Sequence, residues 1–299
     1  MAAFVFAAAA AAATANSMGQ RLSRTPILGL CCLAADAPRN FAAASVIQRA
    51  EVHVPPLVHA TMASPPPRNS IVVGDVHGCL DELKQLLRDC EYDTRVDQVI
   101  LVGDLVNKGP ASAGVVRYAR EQNFLAVFGN HDEAALFNWR RRQALRDRGE
   151  APDGGDKYAY VDDFDAADVA YISALPYTLS LPAYDAVVVH AGVVPGVPLE
   201  SQHLADMYRM RNVARRQGSD GWHALEKGND GVAWATAYEG ERGHVYFGHD
   251  AKRKLQRERY ATGLDTGCCY GGALTAVVLP ERRLVQVQAR KVYSPPKSP

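Results

Sequence analysis

Asp75 and His77 stand two residues apart directly after the apolar run Ile71-Val72-Val73, with Gly74 before them and Gly78 behind. Side chains two apart in extended backbone share a face. An Asp oxygen and a His nitrogen on one face of a strand end suit a borderline divalent metal. The same residue types recur behind four more apolar runs. Asp104 follows Val99-Ile100-Leu101-Val102, Asn130 and His131 follow Phe124–Phe128, His190 follows Val187-Val188-Val189, and His249 follows Val245-Tyr246-Phe247. Taken alone, the first pair reads more often as a turn with a capping Asp than as a ligand pair. Five apolar runs that each end in such a residue favour ligation, since chance would scatter these residues along the chain.

The elements that must position them alternate. After the strand at 70–74, Leu80, Leu83, Leu86 and Leu87 repeat at helical spacing, and a strand at 98–102 follows. A helix over about 111–121 then precedes a strand at 124–128. Asp75, Asp104 and Asn130 are thus separated by about the length of a βαβ unit. Parallel strands joined by right-handed crossovers bring their carboxyl ends to one edge, so ligands distant in sequence can converge. The segment 131–177 is predicted to be mostly helical, and strands return at 245–247, 273–279 and 284–288. The expected fold is α/β, a two-layer β-sandwich flanked by helices.

Composition adds limits. The chain has 299 residues, 47% of them hydrophobic, enough for one large α/β domain or two small ones. With 33 basic and 33 acidic residues, bulk charge gives no bias toward polyanions. Six cysteines, among them the adjacent pairs Cys31-Cys32 and Cys268-Cys269, suit no ordinary disulfide framework and imply a reducing compartment. Residues 1–65 are rich in Ala and end in a Pro-rich stretch, and their first 50 hold four Arg against one acid, Asp36. This composition is that of an organelle leader, chloroplast or mitochondrial, with the cytoplasm as the alternative destination. The apolar run Ala2–Ala15 is too short for a membrane span. The predicted domain is therefore 66–290, with 291–299 a loose tail.

Taken together, Gly74-Asp75-Val76-His77-Gly78, Gly103-Asp104, Gly129-Asn130-His131-Asp132, His190-Ala191-Gly192 and Gly248-His249 resemble the calcineurin-like metallophosphoesterases of the phosphoprotein-phosphatase branch. Lys108-Gly109-Pro110, His190–Gly196 and Leu264-Asp265-Thr266-Gly267-Cys268 look most like the ApaH-like phosphatases, relatives of bacterial diadenosine tetraphosphatase. The resemblance implies two divalent or mixed-valence metal ions, Mn, Fe or Zn. Asp75, His77 and Asp104 would hold one, while Asp104, Asn130, His190 and His249 would hold the other. It also implies His131 as general acid for the leaving oxygen, with Asn107 orienting it, and Lys108 and Arg211 binding phosphoryl oxygens.

One departure from the protein-phosphatase pattern carries information. That pattern has Asp-Arg-Gly where this chain has Asn107-Lys108-Gly109. Asn orients His131 without stabilising its cation, and Lys offers a point charge in place of a planar fork. A weak general acid suffices when the leaving group is itself a phosphate. The expected substrates are phosphoanhydrides: dinucleoside polyphosphates, nucleotide caps on RNA, or polyphosphate. The alternatives are a protein serine/threonine phosphatase and a metal-binding regulator without turnover. No membrane is expected, and no dedicated protein partner can be inferred.

Overall fold

The computed structural model describes residues 52–295, apart from 153, 228 and 229. In chain order its strands are β1 (His59–Thr61), β2 (Asn69–Val73), β3 (Asp97–Leu101), β4 (Leu125–Ala126), β5 (Thr178–Leu181), β6 (Ala186–Val189) and β7 (Asn212–Arg215). They continue with β8 (Trp222–Leu225), β9 (Val232–Ala233), β10 (His244–Phe247), β11 (Gln256–Arg257), β12 (Ala261–Gly263), β13 (Ala273–Leu279) and β14 (Arg283–Gln288). The α-helices are α1 (Leu80–Asp89), α2 (Ser112–Glu121), α3 (Asn130–Asp147), α4 (Ala166–Ser173), α5 (Leu204–Arg209) and α6 (Trp234–Ala237).

Two sheets form the sandwich. One has the order β14-β13-β2-β3-β4 and the other β1-β5-β6-β10-β12-β11. Strands β2, β3 and β4 are parallel neighbours, as are β6 and β10, so the loops after these five strands can gather. The pleat explains why β2 reads as an unbroken apolar run. Val72 faces Ile100, Val188, Tyr246 and Val277 in a cluster drawn from both sheets, whereas Ile71 and Val73 pack with Leu83, Leu86 and Val115 from the helices. Both faces are buried, so period-two alternation disappears. The expected sandwich with flanking helices is the observed architecture.

The boundaries differ from expectation at both ends. Residues 52–62, assigned to the leader by composition, belong to the second sheet's edge. β1 pairs in parallel with β5, His59 Nδ1 lies 2.8 Å from Thr178 Oγ1, and Tyr177 Oη donates to the His53 carbonyl at 2.5 Å. Short strands flanked by Pro carry no periodic signal, which is why composition alone misplaces them. The leader's residues 1–51, and with them the targeting assignment, lie outside the described residues. At the other end, Tyr293 and Ser294 donate their backbone N–H groups to the Cys269 carbonyl at 3.0 and 2.9 Å, so the tail is anchored at least that far. A third, small sheet of order β8-β7-β9 had no counterpart in the sequence reading. The run Arg140–Arg142 turns one member inward: Arg142 is buried and pairs with Asp162. Among the described residues no helix is long and apolar enough to cross a membrane.

Candidate metal centre

The five strand ends do converge. Asp75 and His77 leave β2, Asp104 leaves β3, Asn130 opens α3 just beyond β4, His190 leaves β6 and His249 leaves β10. Asp104 stands between two groups of donors. Its Oδ2 is 3.5 Å from His77 Nε2, which is also 4.0 Å from Asp75 Oδ2. Its Oδ1 is 3.4 Å from His190 Nε2, which lies 3.1 Å from Asn130 Oδ1, and His249 Nδ1 lies 2.8 Å from that same amide oxygen. One carboxylate oxygen therefore faces each group.

Backbone carbonyls fix which ring nitrogen each histidine presents. His77 Nδ1 is 3.0 Å from Val106 O, His190 Nδ1 is 2.8 Å from Val102 O, and His249 Nε2 is 3.0 Å from Arg209 O. A neutral imidazole spends its single proton on such a carbonyl and turns the other nitrogen's lone pair inward. Burial pushes all three histidines down, favouring that neutral form. In the His190–His249 group, two nitrogen lone pairs then face Asn130 Oδ1, also an acceptor. Acceptors crowded against acceptors are what a cation between them resolves, so the donor set fits divalent metal ions.

The local charge points the same way. Burial, with Asp265 and Asp104 nearby, pushes Asp75 well up, and burial lifts Asp132 to about 7 and Asp265 to about 6. Asp104 behaves oppositely: burial alone would raise it, but His190, His131, His77 and Lys108 hold it well below the usual carboxylate range. It stays charged at neutral pH.

Backbone strain concentrates at the same loops. Outside glycine, His77, Asp104, Asn107, Lys108 and His249 all adopt positive φ, between 46° and 73°. Such conformations are rare in side-chain-bearing residues and persist only where surrounding structure enforces them. Close approach adds a second constraint. A Cβ on Gly248 would lie 1.9 Å from Asp75 Oδ1 and 2.7 Å from Val102 Cγ2. We expect Gly248→Ala to push Asp75 off the His249 N–H that it accepts at 3.1 Å, costing about 1–3 kcal/mol of stability as overpacking does and loosening metal retention. Thermal unfolding and elemental analysis of the variant check this; an unchanged midpoint and metal content would contradict it.

The residues expected to meet substrate are also here. His131 Nε2 is 3.9 Å from Asp104 Oδ2, and its Nδ1 is 2.9 Å from Asn107 Nδ2. Burial holds His131 down at about 4, opposed by Asp104 and aided by Lys108. Lys108 Nζ lies 2.8 Å from His77 Nε2 and 4.9 Å from the centre of the Tyr270 ring. For His77 to ligate through that nitrogen, the ammonium has to swing outward. Arg211 reaches the His249 carbonyl at 3.4 Å and the Glu226 carbonyl at 3.1 Å, at the margin of the second group.

Two buried acids were missed as functional residues. Asp132 accepts N–H groups from Asp104 (2.9 Å), Leu105 (3.0 Å) and Gly129 (3.0 Å), which clamps the Asp104 loop to the start of α3. Its place in a helix's first turn was the available signal. Asp265 is brought beside Asp75 because Gly74 lets the Leu264 carbonyl come close: a Cβ there would be 2.3 Å from it. No local pattern reports that contact.

Comparison with known proteins settles the family. The calcineurin-like phosphoesterase pattern matches residues 69–271. This chain is a calcineurin-like phosphoesterase. As such it is a metal-dependent hydrolase of phosphoric esters or anhydrides. The phosphoesterase resembles serine/threonine-protein phosphatase 1 of Salmonella typhimurium, at 29% identity over 70% of this chain and 90% of that one. It is equally similar to a symmetrical bis(5'-nucleosyl)-tetraphosphatase of Aromatoleum aromaticum, at 29% over 73% of this chain and 96% of the other. Among solved structures, a protein provisionally assigned as a diadenosine tetraphosphatase superposes with a TM-score of 0.68 and 34% identity, covering 78% of this phosphoesterase and 98% of that chain.

Proposed function

We propose that this phosphoesterase cleaves phosphoanhydride bonds, with dinucleoside polyphosphates as its first candidate substrates. The observation that carries the reading is the polarity of one hydrogen bond. Asn107 Oδ1 accepts the Lys108 backbone N–H at 2.7 Å, so the amide must offer its NH2 to His131 Nδ1. Nδ1 therefore accepts, and the imidazole proton sits on Nε2, the nitrogen facing Asp104. A protonated ring would set an N–H against an NH2. Flipping the amide to relieve this would strip Lys108 N–H of its acceptor. The pair holds His131 as a neutral hydrogen-bond donor, a poor acid for an alkoxide but adequate for a leaving phosphate of low pKa. The tetraphosphatase relatives support the same class of bond.

Asp75, His77 and Asp104 would hold one divalent ion, and Asp104, Asn130, His190 and His249 a second. Their mixed oxygen and nitrogen donors suit Mn, Fe or Zn. Bound there, such ions would supply a lowered water pKa and neutralise developing phosphoryl charge. Lys108, once swung from His77, would meet a phosphoryl oxygen, and Arg211 would meet another from the margin.

The first test is a panel of diadenosine tetraphosphate, capped RNA, polyphosphate and phosphoserine peptide. The tetraphosphate should show a kcat/KM well above the peptide's; the reverse order would favour the protein-phosphatase reading that the Salmonella relative keeps open. The second test is the double variant Asn107→Asp with Lys108→Arg. An Asp gives Nδ1 an anionic acceptor and should raise the His131 pKa by about one to three units. In the variant the protonated ring can serve as acid below that raised pKa, so phosphoserine turnover should extend to higher pH than in the wild type. Turnover of phosphoserine peptide relative to diadenosine tetraphosphate should rise roughly tenfold, a modest part of the about 10²–10⁴ that acid–base catalysis supplies. An unchanged ratio would show that this pair does not set substrate class.

A further inference from the structure

Outside the centre, three further buried donors meet. The sulfurs of Cys79 and Cys268 and a carboxylate oxygen of Glu82 lie within 4.8 Å of one another. Cys79 follows the His77 loop, Glu82 sits in the first turn of α1, and Cys268 belongs to the short turn Cys268–Tyr270 after Asp265. None of the three is more than 1% exposed.

The hydrogen bonding around Glu82 is uneven. Its Oε1 accepts from Tyr293 Oη at 2.6 Å and from Arg290 N at 3.0 Å, while its Oε2 has no hydrogen-bond partner. A buried carboxylate oxygen left unpaired is costly, and thiols are weak donors that relieve it poorly. Holding one oxygen from behind while the other stays open is how outer partners orient a ligating carboxylate. Around a tetrahedral ion, with Zn–S near ~2.3 Å and Zn–O near ~2.0–2.2 Å, neighbouring donors lie about 3.5–3.8 Å apart, so these three, within 4.8 Å of one another, would close in by up to about 1 Å to hold one.

We propose that Cys79, Cys268 and Glu82 form a separate site for a soft divalent cation, zinc first, with water in the fourth position. Binding converts both thiols to thiolates and releases two protons to solvent; no electrons move. Thiolate donors select differently from the mixed oxygen and nitrogen donors of the centre next door, so the two sites would load from different metal pools. The bound ion would tie the His77 loop, α1 and the Cys268 turn together beneath the C-terminal segment that carries Arg290 and Tyr293.

Cobalt(II) titrated into the full chain tests this, because thiolate ligation gives a charge-transfer band in the near ultraviolet that carboxylate, amide and imidazole ligation does not. The wild-type chain should show the band. Asp104→Asn should keep it, whereas Cys79→Ser combined with Cys268→Ser should lose it. Glu82→Gln, which retains an acceptor for Tyr293, should weaken cobalt binding at the thiolates by roughly 10–100-fold. A wild-type chain saturated with cobalt but lacking the band would overturn the proposal without recourse to any variant, and so would a band that survives in the folded cysteine double variant. Neither outcome bears on the catalytic reading, which turnover with manganese tests independently.

Discussion

Asp104→Asn should abolish turnover and release metal from both halves of the centre. Asp104 offers Oδ2 to the His77 group and Oδ1 to the His190 group, and it is held ionised by the histidines and lysine around it. An amide of the same shape keeps the backbone in place, since its oxygen can still accept the His131 N–H that Asp104 Oδ1 takes at 2.8 Å. It has one acceptor oxygen where two are needed, and no charge. Removing a single preorganised electrostatic group commonly costs about 10²–10³ in kcat, roughly 2.7–4 kcal/mol. Here that loss should be compounded by lost metal, so kcat should fall by roughly 10³-fold or more. Steady-state kinetics with elemental analysis decides the matter. Full activity with two ions retained would rule out a shared carboxylate.

The second large effect concerns the amino-terminal boundary. A chain beginning at Pro66 loses β1, its parallel pairing with β5, and the Tyr177 and Ser173 bonds to His53. It also loses the apolar contacts that Val52 and Val58 make with one core cluster and Ala60 and Met62 with the other. Hydrogen bonds contribute about 0.5–1.5 kcal/mol each, so the total loss should be of order 3–5 kcal/mol, a large share of a domain's roughly 5–15. At about 2–4 °C per kcal/mol for a domain of this size, the melting midpoint should drop by roughly 6–20 °C against a chain beginning at Val52. Equal midpoints for the two chains would show that β1 is a dispensable ornament of the sheet.

These two cases mark what the sequence discloses. Asp75, His77, Asp104, Asn130, His190 and His249 were legible because each follows a buried strand, and parallel connections bring such ends to one edge. β1 was not, because its stability comes from β5, more than a hundred residues away, and His59-Ala60-Thr61 has no periodicity of its own. The roles of Asp132 and Asp265 depend on how the loops pack, as does Lys108's approach to His77. Cys79 and Cys268 were readable only as unpaired thiols, since nothing local announces that β2 and the turn before β13 place them side by side.

The left-handed backbone at His77, Asp104, Asn107, Lys108 and His249 has a consequence for the order of assembly. Each such residue costs of order 1–3 kcal/mol unless its surroundings insist on it, and a disordered chain has no surroundings to insist. His77, Asp104 and His249 therefore reach their poses only once the two sheets have docked. An ion arriving earlier would find no chelate. Metal capture should accordingly be a late event that reports completed folding, unlike small zinc modules that remain unfolded until metal arrives. The ions then act as ligands of a finished scaffold, adding stability by mass action in proportion to their free concentration.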